Sequence, residues 1–169
     1  MLHFAYGSNL LVERLQVPER APGARLVGVA RLAGWRLVFD KRGRDGSGKA
    51  SVRQAPDAWV HGVLYDLPDD DRKRLDQVEG PGYRAHEVEV RRGGRAESAW
   101  LYLAIDLDPT LRPFRWYRGL VLAGARQHRL PDAYAAAIEE VPVMRDPDRQ
   151  RAERYERVIE AVNGRVPIR

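Results

Sequence analysis

Phe4-Ala5-Tyr6-Gly7-Ser8-Asn9-Leu10 is the stretch around which this chain is organised. His3 to Tyr6 alternate and carry aromatic rings, the pattern of a short strand. Gly7-Ser8-Asn9 stops that strand. Leu10-Leu11-Val12-Glu13-Arg14-Leu15 then resumes as a short helical segment, with Ser8 or Asn9 as its N-cap. A strand that passes through glycine into a capped helix leaves several backbone N–H groups without acceptors at one point. Such a point attracts an anion, or a carbonyl oxygen that is gaining negative charge.

A second stretch supplies a reactive group. Leu67-Pro68-Asp69-Asp70-Asp71-Arg72-Lys73-Arg74-Leu75-Asp76-Gln77-Val78-Glu79 reads as a helix begun by Pro and Asp and ended at Gly80-Pro81-Gly82. Three aspartates in the first turn suit the positive end of the helix dipole. Glu79 sits at the other end, where a carboxylate costs about 0.3–1 kcal/mol at an exposed site. It follows Leu75 and Val78, which are spaced to pack inward. Burial and the helix end both disfavour its ionised form, the property wanted in a general acid/base.

Tyr6-Gly7-Ser8-Asn9-Leu10, followed by Leu75-Asp76-Gln77-Val78-Glu79-Gly80 and Tyr83, resembles the γ-glutamylcyclotransferase family. The similarity runs on through Trp100-Leu101-Tyr102 and Tyr117, then Ala123-Gly124-Ala125 to Leu130-Pro131, and so spans roughly residues 3 to 140. The resemblance implies a small, partly closed β-barrel flanked by helices. It also implies an enzyme that closes the γ-glutamyl group of a γ-glutamyl amino acid or amine into 5-oxoproline and releases the amine, without a cofactor or a metal. Carried over by position, Glu79 is the catalytic acid/base. Phe4, Ala5, Tyr6, Gly7, Ser8, Asn9 and Leu10 form the cradle of the glutamyl moiety, and Tyr117 sets its hydroxyl on the substrate. Tyr83 and Tyr102 are further lining residues. His3 stands where the family commonly has an aromatic residue, and the basic stretch Arg42 to Lys49 maps onto no family motif.

Composition narrows the alternatives. The 169 residues fit one domain, 1–169, with a real hydrophobic core. No apolar run approaches the roughly 18–20 residues of a membrane helix, and the amino terminus opens directly on a strand pattern. Cysteine is absent, which excludes disulfides, a thiol nucleophile and thiolate metal sites, and suits a reducing cytoplasm. Net charge is +5, and all but three of the 29 basic residues are arginine, scattered among 24 acids. That mixture lacks the aromatic and glycine signature of an RNA-binding sheet, so no nucleic-acid partner is expected. A monomer or homodimer acting on a small molecule is the expectation. The other readings are a non-catalytic metabolite-binding member of the same fold and a basic nucleic-acid-binding domain.

Along the chain, residues 24–32 and 35–40 read as two strands joined by an Ala33-Gly34 hairpin turn, with 41–49 a mobile loop after them. That loop contains Gly43-Arg44-Asp45-Gly46-Ser47-Gly48-Lys49, which fits the phosphate-loop spacing. Ala50 stands where Ser or Thr would hold magnesium, and Ser51 to Gln54 looks extended rather than helical. Ala55-Pro56-Asp57 reads as a turn, and 59–67, 83–90 and 98–105 as strands. Glu87 and Glu89 share a solvated sheet face. His3, His61, His86 and His128 lack metal-ligand spacing, and no G-x-S-x-G elbow is present. Helices follow at 114–127 and 131–140, with a last one after Asp146-Pro147 whose inward stripe is Ala152, Tyr155, Ile159 and Val162. Hairpins outnumber crossovers, which gives an α+β fold.

Overall fold

A computed structural model describes residues 1–164. The last five positions of the 1–169 domain expectation lie outside the described residues. Alternating apolar positions build five strands: β1 (Leu2–Ala5), β2 (Arg25–Arg42), β3 (Gly48–Asp66), β4 (Tyr83–Arg92) and β5 (Arg95–Ala104). They close in the order β1-β3-β2-β4-β5. β1 is the keystone, antiparallel to β3 with Phe4 opposite Leu64, and parallel to β5 with His3 opposite Trp100. The strands thus close into the small barrel expected, because this short first strand pairs on both of its edges at once.

Among the described residues five helices flank the barrel: α1 (Val12–Leu15), α2 (Asp69–Glu79), α3 (Arg115–Gln127), α4 (Asp132–Glu139) and α5 (Arg149–Asn163). α3 is the most buried of them. Its Leu120, Val121 and Ala125 join Phe4, Leu10, Leu11, Val63 and Leu101 in one core. Each such leucine contributes about 1.5–3 kcal/mol through burial. Gly124 lets α3 cross the turn after β1, since a Cβ there would lie 2.5 Å from Leu10 Cβ. α5 packs on α3 through Tyr155, stacked on Trp116 at 4.3 Å. Asp148 caps α5, while Asp146 instead receives Trp116 Nε1 at 2.6 Å and the Arg151 guanidinium. Among the described residues no helix is long and apolar enough to cross a membrane.

Two local readings change. Ala33-Gly34 and Ala55-Pro56-Asp57 are not hairpin turns. They face each other within one long β2–β3 hairpin, where the register passes from Ala33↔Trp59 to Trp35↔Gln54. Both strands bend there together, as a barrel corner requires. The hairpin tip is not a free loop either. Gly48 N–H donates to Arg112 O at 2.8 Å and Asp108 N–H to Asp40 O at 2.7 Å, which docks the tip on residues 106–112. Lys49 Nζ donates to Asp45 Oδ2 and Ser47 Oγ, both at 2.7 Å, and lies 4.6 Å from the centre of the Tyr117 ring. The lysine that imitates a phosphate-loop lysine is thus spent on holding the tip, and a strand follows it, not a helix.

His3 is a liability inside the barrel. It is 2% exposed, its ring lies 4.4 Å from that of Trp100, and neither ring nitrogen makes a hydrogen bond of good geometry. Burial lowers its pKa from 6.5 to about 3. The unfolded chain takes up this proton below about pH 6.5 and the folded chain only near pH 3. His3 therefore leaves stability intact above 6.5 and erodes it as pH falls through that window. His3→Phe keeps the ring and removes the titration. Its stability advantage over the parent should widen by about 2 kcal/mol between pH 7 and pH 5 in urea unfolding. An advantage that stays constant with pH would contradict a buried neutral histidine.

Candidate active site

The site begins where β1 ends. Ser8–Leu10 form a single 3-10 turn with Gly7 at its N-cap, and α1 starts only at Val12. Neither Ser8 nor Asn9 caps a helix, because both side chains are drawn into tertiary contacts. Ser8 Oγ accepts from Arg14 Nε at 3.0 Å, and Asn9 Nδ2 donates to Glu79 Oε1 at 3.0 Å. Leu10 and Leu11 N–H turn back on the carbonyls of Gly7 and Ser8. The N–H groups of Ser8 and Asn9 open the turn, and those are the ones a 3-10 turn leaves without an internal acceptor.

Gly7 has φ −107°, an ordinary extended value, so backbone strain does not explain the glycine. Space does. An added Cβ would lie 2.8 Å from Ala50 Cβ and 3.7 Å from the Tyr117 hydroxyl.

Glu79 is the last residue of α2. Gly80, at φ +67°, breaks the helix directly behind it, and Gly80–Gly82 lead into Tyr83 at the start of β4. Leu75 is fully buried and seats α2, whereas Val78 is 37% exposed, so only one of the two expected apolar neighbours packs inward. Asp76 completes the seat by accepting the Tyr102 hydroxyl.

The feature absent from the sequence reading is Arg20. Its guanidinium NH1 donates to Asn9 Oδ1 at 2.9 Å and to Glu79 Oε1 at 3.0 Å. The side chains of the Arg20–Glu79 pair are only 10% and 15% exposed. Burial pushes Arg20 below the usual guanidinium value, with Glu79 opposing; a guanidinium nonetheless keeps its charge in a protein. Three bonds hold the Arg20 loop. Ala21 N–H donates to Leu15 O at 2.9 Å, Gln16 Nε2 to Ala24 O at 2.9 Å, and Gly23 N–H to the buried carboxylate of Asp71 at 2.6 Å. Both donors to Glu79 fall on Oε1, which leaves Oε2 without a protein donor among the described residues.

Of the residues expected at the site, Phe4 to Asn9, Glu79, Tyr83, Tyr102 and Tyr117 line one narrow cavity of about 30 Å³, and His3 and Ala50 complete it. Leu10 does not line it. Its side chain is buried against α3, and its carbonyl accepts from Tyr65 and His128. Ala50 carried no signal because it acts through its backbone: its N–H donates to the Tyr117 hydroxyl at 3.1 Å and its carbonyl accepts from Tyr83 at 2.9 Å.

Burial raises the hydroxyls of Tyr6, Tyr83, Tyr102 and Tyr117 above the ordinary tyrosine range, so all four keep their protons. Tyr6, Tyr83 and Tyr102 spend those protons on Tyr102 O, Ala50 O and Asp76. Tyr117 accepts from the Ala50 N–H. The arrangement offers one unshared carboxylate oxygen, backbone donors and a phenol hydroxyl around one point. A wider groove of about 450 Å³ between Arg115, Met144 and α5 has no comparable set, since its buried carboxylate, Asp146, is already held by Trp116 and Arg151.

Residues 3–118 match the family described as gamma-glutamyl cyclotransferase, AIG2-like. The chain is 31% identical over 149 residues to gamma-glutamylcyclotransferase of Homo sapiens, a match covering 83% of this chain and 78% of that protein. The corresponding protein of Mus musculus is equally similar. A solved structure titled gamma-glutamyl cyclotransferase superposes with a TM-score of 0.84 at 28% identity, over 95% of this chain and 98% of its own.

Proposed function

Because this chain belongs to the gamma-glutamyl cyclotransferase, AIG2-like family, we propose that it is an enzyme that cyclises a γ-glutamyl compound to 5-oxoproline and releases the amine. The observation that carries the reading is the unshared Oε2 of Glu79, set in one cavity with the Ser8–Asn9 turn and the Tyr117 hydroxyl.

In this mechanism Glu79 Oε2 takes a proton from the substrate α-ammonium. The freed α-amine attacks the γ-carbonyl and closes a five-membered ring. Nucleophile and electrophile belong to one molecule, so holding them in register supplies much of the rate. The tetrahedral oxygen gains negative charge and is received by the N–H groups of Ser8 and Asn9 and by Tyr117. Glu79 gives that proton to the departing nitrogen, takes the second proton from the ring nitrogen as the C–N bond breaks, and passes it to the released amine, so that lactam and ammonium leave with no water consumed. The test is incubation with a panel of γ-glutamyl compounds and detection of 5-oxoproline by mass spectrometry. A panel spanning amino-acid, amide and amine leaving groups that yields none overturns the proposal.

The tight approach at Gly7 gives a sharper check. Overpacking costs typically 1–3 kcal/mol, so Gly7→Ala should lower turnover by roughly 5- to 150-fold. Gly7→Ala with Ala50→Gly removes the colliding methyl and should recover most of it. Unchanged turnover in Gly7→Ala would remove this turn from the cradle.

A further inference from the structure

Arg14 joins the Ser8–Asn9 turn to the last helix. Its Nε donates to Ser8 Oγ at 3.0 Å, and its guanidinium carbon lies 5.2 Å from the centre of the Tyr155 ring on α5. Tyr155 in turn stacks on Trp116 of α3, the rings 4.3 Å apart and 16° from parallel. The backbone end of Arg14 is fixed as well, because α1 is pinned at its start. Gln127 Oε1 accepts from Val12 N–H at 3.0 Å, and Gln127 Nε2 donates to Glu13 Oε2 at 2.8 Å. Arg14 is thus held at both ends, by α3 through α1 and by α5 through the Tyr155 ring. α5 lies beyond residues 3–118, the stretch that matches the family, so part of this support comes from outside that stretch.

Arg14 forms no ion pair among the described residues. Arg20, the other arginine that reaches the turn, spends its charge on Glu79. The charge of Arg14 therefore stands beside the cradle uncancelled. It is felt across the cavity wall: burial raises the Tyr117 hydroxyl, and the Ala50 N–H and Arg14 oppose the rise. Positive charge fixed beside a developing anion favours the transition state over the neutral ground state. The bond to Ser8 Oγ also restrains the residue whose N–H opens the turn.

We infer that Arg14 is a positioning residue of the oxyanion turn, holding Ser8 and lending it uncancelled positive charge, and that Tyr155 of α5 keeps it in place. The inference rests on the cyclotransferase reading and adds a support that reaches the cradle from the C-terminal helix. A planar guanidinium suits both tasks, because it donates at its edge and lies over the ring with its face.

The experiment measures kcat, KM and Tm of full-length variants on the best γ-glutamyl substrate of the parent, well below each Tm. Arg14→Met should lower kcat about tenfold and leave KM within about threefold. That is less than the loss of about 10²–10³ on deleting an oxyanion donor, because the N–H groups remain. Arg14→Lys keeps charge and donor but not the planar stack, and should bring kcat back to within about threefold of the parent. Tyr155→Leu should cost about threefold in kcat, and combined with Arg14→Met no more than Arg14→Met alone, since the ring acts through the arginine. Arg154→Gln removes the other cation on the Tyr155 ring, 4.9 Å from its centre, without touching Ser8, and should leave kcat unchanged.

Parental kcat in Arg14→Met, even with a lowered Tm, would make Arg14 merely structural and overturn the inference. So would a combined loss of about thirtyfold, the product of two independent effects. Should Arg14→Met fail to fold, Tyr155→Leu decides, and parental kcat there overturns the link to α5. These outcomes leave the cyclotransferase reading standing. A parent that forms no 5-oxoproline from any γ-glutamyl compound removes that reading, and this inference with it.

Discussion

Glu79→Gln should leave a folded protein that binds γ-glutamyl substrate and scarcely turns it over. The amide keeps the length of the side chain, and its oxygen can still accept from Asn9 Nδ2 and Arg20 NH1, now both 3.0 Å from Oε1. It cannot carry a proton from the α-ammonium to the departing nitrogen. Losing one general acid/base costs about 10²–10⁴-fold, and more when a single group performs both transfers. Single-turnover rates together with calorimetric binding separate the two effects: kcat collapses while affinity stays within a few-fold.

Stability should move as well. From the sequence, a carboxylate strained at a helix C-terminus would be relieved by Gln. The Arg20 contact reverses that sign, because a guanidinium 10% exposed would lose its counter-charge. A cost of about 1–3 kcal/mol is expected, a fall in Tm of several degrees for a chain of this size. Wild-type turnover in Glu79→Gln would remove Glu79 from the mechanism, and a variant unfolded at room temperature would make it a structural residue.

Arg20→Met carries the second large effect. Methionine fills much of the volume but leaves the Glu79 carboxylate, 15% exposed, with Asn9 as its remaining donor. Breaking a buried pair costs about 3 kcal/mol. The larger consequence is for rate, because a carboxylate free to swing no longer presents Oε2 to the α-ammonium, and misplacement by about 1 Å can cost 10²-fold. Arg20 does not line the cavity, so it acts as a positioning residue: kcat should fall about 10–100-fold while KM changes little.

Arg20→Lys should restore part of the rate, since an ammonium keeps the charge but lacks the fixed planar NH1 group that donates to both Asn9 Oδ1 and Glu79 Oε1. In Arg20→Ala, added guanidinium ion at millimolar concentration should raise kcat well below the melting temperature. A purely structural arginine would show lower Tm with unchanged kcat in the folded fraction and no response to guanidinium.

The chain's local chemistry was legible wherever the partner lies nearby in sequence. Alternation marked 83–90 and 98–105 as strands, and the β4–β5 hairpin they form needs only the turn at Gly93-Gly94. Gly80-Pro81-Gly82 marked the end of α2 and so placed Glu79 at a helix terminus. The apolar face of 114–127 marked α3, and Gly124 within it signalled the close crossing that Leu10 makes. The order and spacing of Tyr6 to Leu10 and Leu75 to Gly80 identified the family and, with it, the barrel.

Tertiary structure decided what depends on residues distant in the chain. Ala33-Gly34 and Ala55-Pro56-Asp57 each look like a turn alone. Only their pairing across the hairpin turns them into one shared bend. Lys49 has the spacing of a phosphate lysine, yet Asp45, Ser47 and the aromatic rings of α3 claim it once the tip docks. Arg20 reads as one more solvated charge in a proline-containing connection. It becomes the counter-charge of Glu79 only when Asp71 of α2 fastens Gly23 and brings the two segments together, 59 positions apart. Local pattern specifies which face of an element is apolar, because that follows from periods of 2 and 3.6 residues. Which charge meets which is set by the closed barrel, since an ion pair has no period and leaves no trace along the chain.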